Sequence, residues 1–220
     1  FTLVWQTIKK TFVDFYEYSF VLIFINLIWT LLTGTFVIFG YGAINSGFYI
    51  MVIIPVLALG SLIMGALYVA NKIVKGRDLK ILDLFKGIKK YYIRGLKGFL
   101  FSALVYFVFF LDFYYFYHKG VGTMFLYIVF AILLYILIFF SMIQLYFWGL
   151  LICQDNSIFA TLKKALVLTF DNIIYSLLWL LFFVFITVLL TYFKVPFPAL
   201  YMGFAAILVV NGTKIVLKKY

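Results

Sequence analysis

The chain has 220 residues, of which 67% are hydrophobic and only 11% charged, with a mean hydropathy of +1.18. Soluble domains run at about 45–50% apolar, so a water-soluble globular protein is excluded: too few charges are present to cover its surface. The formal net charge of +11 is then a matter of which side of a membrane the cations occupy.

A helix needs about 20 apolar residues to cross the hydrocarbon core. Six stretches satisfy this, at 18–39, 46–71, 98–117, 123–152, 173–193 and 198–217. Ahead of them, residues 1–17 carry Lys9, Lys10, Asp14 and Glu17 with no uninterrupted apolar core, so they do not read as a signal peptide. The first span holds Asn26, and the outer loop that follows, at 40–45, is long. In the second span Pro55 predicts a kink. Ser61 with Gly65, and Ala66 with Ala70, place small residues every four positions, a spacing that lets a neighbouring helix approach closely.

Residues 82–97 read LDLFKGIKKYYIRGLK. At about 100° per residue, Leu84, Phe85, Ile88, Tyr91, Tyr92 and Leu96 fall on one arc. Lys86, Lys89, Lys90, Arg94 and Lys97 fall on the other, with Asp83 among them. This pattern predicts an interfacial amphipathic helix whose cations meet anionic lipid headgroups, each worth about 1 kcal/mol at that surface. The same cations suit nucleic acid in principle. Here the aromatics belong to the apolar arc and no nucleic-acid motif accompanies them, so nucleic acid is not expected as a partner.

The third span closes on the aromatic run 113–117, beside Asp112, a belt suited to the outer headgroup region. The fourth would be about 45 Å long and must tilt or project; it carries Gln144. Asp171 or Asn172 is expected to cap the fifth. Pro196 and Pro198 mark the turn into the sixth, which carries Asn211. Asn26, Gln144 and Asn211 all lie toward the same end of their spans. They are either the lining of an inward-facing polar vestibule or interhelical hydrogen-bonding glue.

If the N-terminus is cytoplasmic, every cation except Lys119 and Lys194 falls on the inner side. Positively charged loops resist translocation, so both termini are expected inside, in a multi-pass plasma-membrane protein. Three short phrases recur at the same topological place: Thr7-Ile8-Lys9-Lys10, Gly87-Ile88-Lys89-Lys90 and Thr161-Leu162-Lys163-Lys164. They suggest three pseudo-repeats, about 1–75, 76–153 and 154–220, within a single domain. Each would be an interfacial helix followed by a helical hairpin. The fold class is thus all-α, with six transmembrane helices.

The single Cys153 and single His118 allow no disulfide within these residues and no cysteine- or histidine-rich metal centre. No phosphate-binding loop, dinucleotide fingerprint, zinc-protease motif or nucleophile elbow occurs. The sequon at Asn211-Gly212-Thr213 lies within the last span. No catalytic residue, cofactor or metal is expected, and a lipid-handling enzyme lacks a nucleophilic or acid–base set.

Several segments resemble the YesL family of bacterial integral membrane proteins. They are Asn26-Leu27-Ile28-Trp29, Pro55, Ala66-Leu67-Tyr68-Val69, Lys72-Ile73-Val74-Lys75-Gly76, Phe85-Lys86-Gly87-Ile88-Lys89-Lys90, and Leu162-Lys163-Lys164-Ala165-Leu166 with Asn172. Membrane domains attached to some glycerophosphodiester phosphodiesterases are similar in pattern. The YesL resemblance implies a non-enzymatic accessory or regulatory role beside the membrane transporter subunits of a carbohydrate uptake system, and it supplies no site residues. The alternative is a small-solute transporter with a path between the three hairpins.

Overall fold

The computed structural model describes residues 2–119, 124–194 and 196–220. Thr123, at the expected start of the fourth span, and the side chains of Lys119 and Pro196 lie outside the described residues. Among those described, all regular structure is helical. Helices α1 (Thr2–Glu17) and α2 (Ser19–Asn45) are followed by a 3-10 turn, Tyr49–Val52, and by α3 (Ile53–Val74). Then come α4 (Asp83–Lys119), α5 (Met124–Cys153), α6 (Ile158–Asp171), α7 (Ile173–Phe193) and α8 (Pro196–Leu217). Six helices, α2, α3, α4, α5, α7 and α8, are long and apolar enough to cross a membrane.

Their burial sorts them. In the most apolar stretch of α8, 67% of residues are buried, and in α3 44%, against 17% or less in the other four. So α8 and α3 form the centre, and α2, α4, α5 and α7 present Leu, Ile, Val and Phe side chains outward. In a bilayer such a surface is solvated by lipid tails and is no liability.

The tightest seam joins α3 to α4. A Cβ added to Gly60 would run into the backbone carbonyl of Gly95, and one added to Gly95 would meet the Gly60 carbonyl oxygen at 2.5 Å. The two backbones touch there, which only glycine permits. Gly65 faces Leu84 and Ile88, and Gly87 faces Tyr68. The small-residue signal at Gly65 therefore falls in the seam, of which Gly60 is the closest point.

Several local expectations are corrected. Helix α2 runs through 40–45 to Asn45, so the long outer loop is helix. The chain reverses in the short turn after it, where Gly47 takes φ +77°. Gly40 leaves room for the Pro55 ring, which lies 3.2 Å from a Cβ built there. Pro55 itself lies in the first turn of α3, directly after the 3-10 turn. Its missing N–H costs nothing there, so it starts a helix and does not kink one. Neither Asp171 nor Asn172 caps α7: the Asn172 amide turns back to the Leu168 carbonyl at 3.2 Å and also donates to Tyr220 Oη at 3.2 Å. Lys219 Nζ donates to its Oδ1 at 2.9 Å, and Tyr220 Oη donates to Asp171 at 3.1 Å. Those two side chains hold the C-terminus.

The stretch 82–97 is not a separate helix either. It forms the start of α4, which bends at Tyr91 (φ −110°, ψ 17°) and continues into the span. Asp83, placed by the wheel among the cations, is buried. It accepts from Lys72 Nζ at 2.6 Å and from the Lys80 amide at 2.8 Å, with Lys86 at 3.6 Å. Part of the apolar arc faces protein: Leu84 is fully buried and Ile88 packs on Gly65, while Phe85 and Tyr92 stay exposed.

Each basic segment rests on a returning span. Helix α1 packs on α8, the start of α4 on α3, and α6 on α5. In all three tetrads the first residue (Thr7, Gly87, Thr161) is buried and the second (Ile8, Ile88, Leu162) half-buried, while both lysines are exposed. The helical path breaks at Tyr18 after the first tetrad and at Asn172 after the third, but already at Tyr91 after the second.

Candidate functional site

Two concavities merit attention, one at the basic end and one in the bundle interior. The first is a groove of about 880 Å³ lined by Lys89, Lys90, Tyr91, Tyr92, Ile93, Arg94 and Lys97 from α4, and by residues 155–158 leading into α6. Here α4 supplies the cations, Lys89 and Lys90 before its bend at Tyr91 and Arg94 and Lys97 after it. Lys89, Lys90 and Lys97 are exposed. Arg94 is differently placed. Its Nη1 donates to the Leu151 carbonyl at 3.2 Å and more weakly to Gln154, where α5 ends, and its Nη2 meets Asp155 at 2.5 Å. A guanidinium on the last carbonyls of a helix complements the helix dipole. Arg94 therefore ties α4 to α5, while Lys89, Lys90, Lys97 and the exposed end of Lys86 face outward.

The second is a cavity of about 500 Å³ at mid-span, bounded by all six spans. Trp29 comes from α2, Leu59, Ile63 and Leu67 from α3, Phe99 and Tyr106 from α4, and Ser141, Gln144 and Trp148 from α5. Leu180, Phe183 and Val184 of α7 and residues on α8 between Tyr201 and Val209 complete it. Among the described residues, no charged side chain lines it. Trp29 Nε1 donates to the Leu62 carbonyl at 3.1 Å, and Tyr106 Oη lies 3.3 Å from Ser141 Oγ. Of its lining residues only Tyr106 and Val184 are exposed, and they mark its opening between α4 and α7.

The three amides are not gathered. Asn26 is buried between α2 and α8: its Nδ2 donates to the Ala199 carbonyl at 2.7 Å and its Oδ1 accepts from the Gly203 amide at 2.7 Å. Asn211 donates to Asp14 Oδ2 at 2.8 Å and faces Thr11 at 3.4 Å, joining α8 to α1. Gln144 alone lines the cavity. Its Oε1 accepts from Ser102 at 2.8 Å, and its buried Nε2 has no hydrogen-bond partner among the described residues. Asp14 and Thr11 were missed in the sequence because their partner lies at the far end of the chain. Ser102 was missed because a lone serine in an apolar span gives no signal.

Among the described residues, no three histidine, cysteine, aspartate or glutamate side chains gather in a way that could hold a metal ion. The groove can bind anions. The cavity, apolar over most of its lining, can accept an apolar body.

Fold and site together define an all-α polytopic membrane protein with six spanning helices. Compared with family models, curated proteins and solved structures, the chain matches none.

Proposed function

We propose that this is a non-enzymatic plasma-membrane protein, both termini cytoplasmic, that rests its basic face on anionic headgroups and serves as an accessory or regulatory partner of a carbohydrate uptake system. One observation carries the lipid-facing part. Lys86, Lys89, Lys90 and Lys97 are exposed on one turn-and-bend of α4, beside an open groove and next to the apolar Tyr92 and Ile93. Lysines with apolar neighbours at the edge of a spanning bundle suit the boundary between headgroup and tail. The YesL resemblance supplies the uptake system, and three hairpin repeats are the architecture this reading adopts. The seating of each basic segment on a returning span supports those repeats. Co-purification from mild detergent tests the partnership: transporter subunits should accompany the protein, and a strictly solitary protein overturns the reading.

A second reading is favoured by the central cavity, to which every span contributes. It is a small-solute transporter whose path runs between the hairpins. The apolar lining points to a solute less polar than a sugar. Uptake into proteoliposomes should fall in Ala205→Phe, which fills the cavity; unchanged uptake in that variant, folded, removes this version.

A further inference from the structure

We infer that the groove between α4 and α6 is a discrete site for a lipid whose headgroup carries two phosphates joined by a glycerol, the diphosphatidylglycerol class. This deepens the proposed function and rests on its claim that the basic face meets anionic lipid. It adds one bound molecule of defined chemistry where a diffuse charged surface would need none.

The charges of the groove do not balance. Four cations line it, Lys89, Lys90, Arg94 and Lys97, against one carboxylate, Asp155. Arg94 takes that carboxylate and directs its other terminal nitrogen to the carbonyls that end α5. Lys89, Lys90 and Lys97 stay exposed, with no hydrogen bond or ion pair among the described residues. Lys90 Nζ lies 5.2 Å from the centre of the Tyr91 ring, a cation–π contact that orients it and leaves its charge unneutralised. The other basic segments differ. Lys10 sits 3.7 Å from Asp14, and Lys164 donates to Gln154 at 3.0 Å. Of the three lysine pairs, the one on α4 alone keeps both members free of such partners among the described residues. A concave surface with unmatched cations concentrates anions.

The cations stand at two poles. Lys89 and Lys90 precede the bend of α4 and Lys97 follows it, about 10 Å further along the helix at 1.5 Å per residue. A single phosphate serves one pole. Two phosphates on one headgroup serve both, and the second binds at the high effective concentration its tether provides. The groove has the room: at ~30 Å³ per small group, the share of one liquid water, about 880 Å³ holds on the order of thirty such groups. Asn156 and Ser157, uncharged and polar, line the side from which α6 starts and suit the hydroxyl of the linking glycerol. The chains have a path as well. Exposed Tyr92 and Ile93 line the same groove, and the apolar part of α4 follows directly after Lys97. An apolar strip leading from the lysines to the hydrocarbon core favours a ligand with acyl chains over a soluble bisphosphate.

The test titrates detergent-purified full-length protein with tetraoleoyl cardiolipin, with dioleoyl phosphatidylglycerol and with deacylated cardiolipin. Affinity is read from the thermal shift and stoichiometry from native mass spectrometry. Wild type should retain one cardiolipin per chain and bind it, per phosphate, about tenfold or more tightly than phosphatidylglycerol. Lys97→Gln, or Lys89→Gln with Lys90→Gln, should bring cardiolipin down to the phosphatidylglycerol level, whereas Lys163→Gln should leave the preference intact. Deacylated cardiolipin should bind about tenfold more weakly than the intact lipid, or not at all. Equal binding of the two lipids per phosphate in wild type would overturn the site and leave the basic-face reading standing; binding of neither would overturn both. A preference that survives in Lys97→Gln, or that Lys163→Gln abolishes equally, would return the effect to diffuse charge and overturn the assignment. Deacylated cardiolipin binding as tightly as the lipid would overturn it too, by making the ligand a soluble bisphosphate.

Discussion

Both ends of the Asn26 amide are engaged, because it spans one turn of α8 from the Ala199 carbonyl to the Gly203 N–H. Those two groups pair with each other in a regular helix, so Asn26 braces the first turns of α8 against α2. Gly203 leaves the space for it: a Cβ there would lie 2.8 Å from Asn26 Oδ1. Asn26→Leu should therefore cost about 1–3 kcal/mol, visible as a lower Tm in detergent. Gln144→Leu removes an amide that is only half satisfied, and Ser102 keeps its bond to Gly98. In the absence of added lipid it should leave stability within about 1 kcal/mol of wild type or raise it. Equal losses in the two variants would contradict this contrast. Asp83 gives a third case. It holds Lys72 and the Lys80 amide from a buried position, so Asp83→Ala should destabilise by about 2 kcal/mol, with Lys72 left unpaired. Salt should not reproduce the effect, since a buried pair is weakly screened.

At the scale of elements, the α3–α4 seam is set by backbone meeting backbone at Gly60 and Gly95. A methyl group there cannot be absorbed by a rotamer change. Gly60→Ala and Gly95→Ala should each lower Tm far more than Gly34→Ala, which meets open space. The two seam substitutions should also be less than additive, because the first already separates the helices. Strict additivity would place the contact elsewhere. This seam also indicates where the sequence was legible. Each span could be read from its run of apolar residues, which lipid solvation demands, and α7 begins and ends where that run does. The end of α2 was hidden because Gly40 and Gly42 look like loop residues, although Gly40 serves packing against Pro55. The role of Pro55 depends on a 3-10 turn that no local pattern announces. The wheel over 82–97 assumed a water-facing polar arc, and Asp83 left it because Lys72, on the preceding helix, draws it inward.

For the molecule as a whole, the apolar composition fixed a six-span helical bundle, while its interior remained illegible. The partners of Asn211 and Asn26 lie at the opposite end of the chain, and the central cavity exists only once all six spans are assembled. The basic segments are seated in cyclic order, α1 on α8, α4 on α3 and α6 on α5, and this places every lysine tetrad at one end of the bundle. The proposed function depends on that end facing the cytoplasm. The most direct measurement is cysteine labelling in a Cys153→Ser background, with single substitutions Ser46→Cys, Lys97→Cys and Lys164→Cys and a membrane-impermeant maleimide. Intact cells should label Ser46→Cys alone, and Lys97→Cys and Lys164→Cys should react only after permeabilisation. Labelling of either lysine site in intact cells would contradict the arrangement.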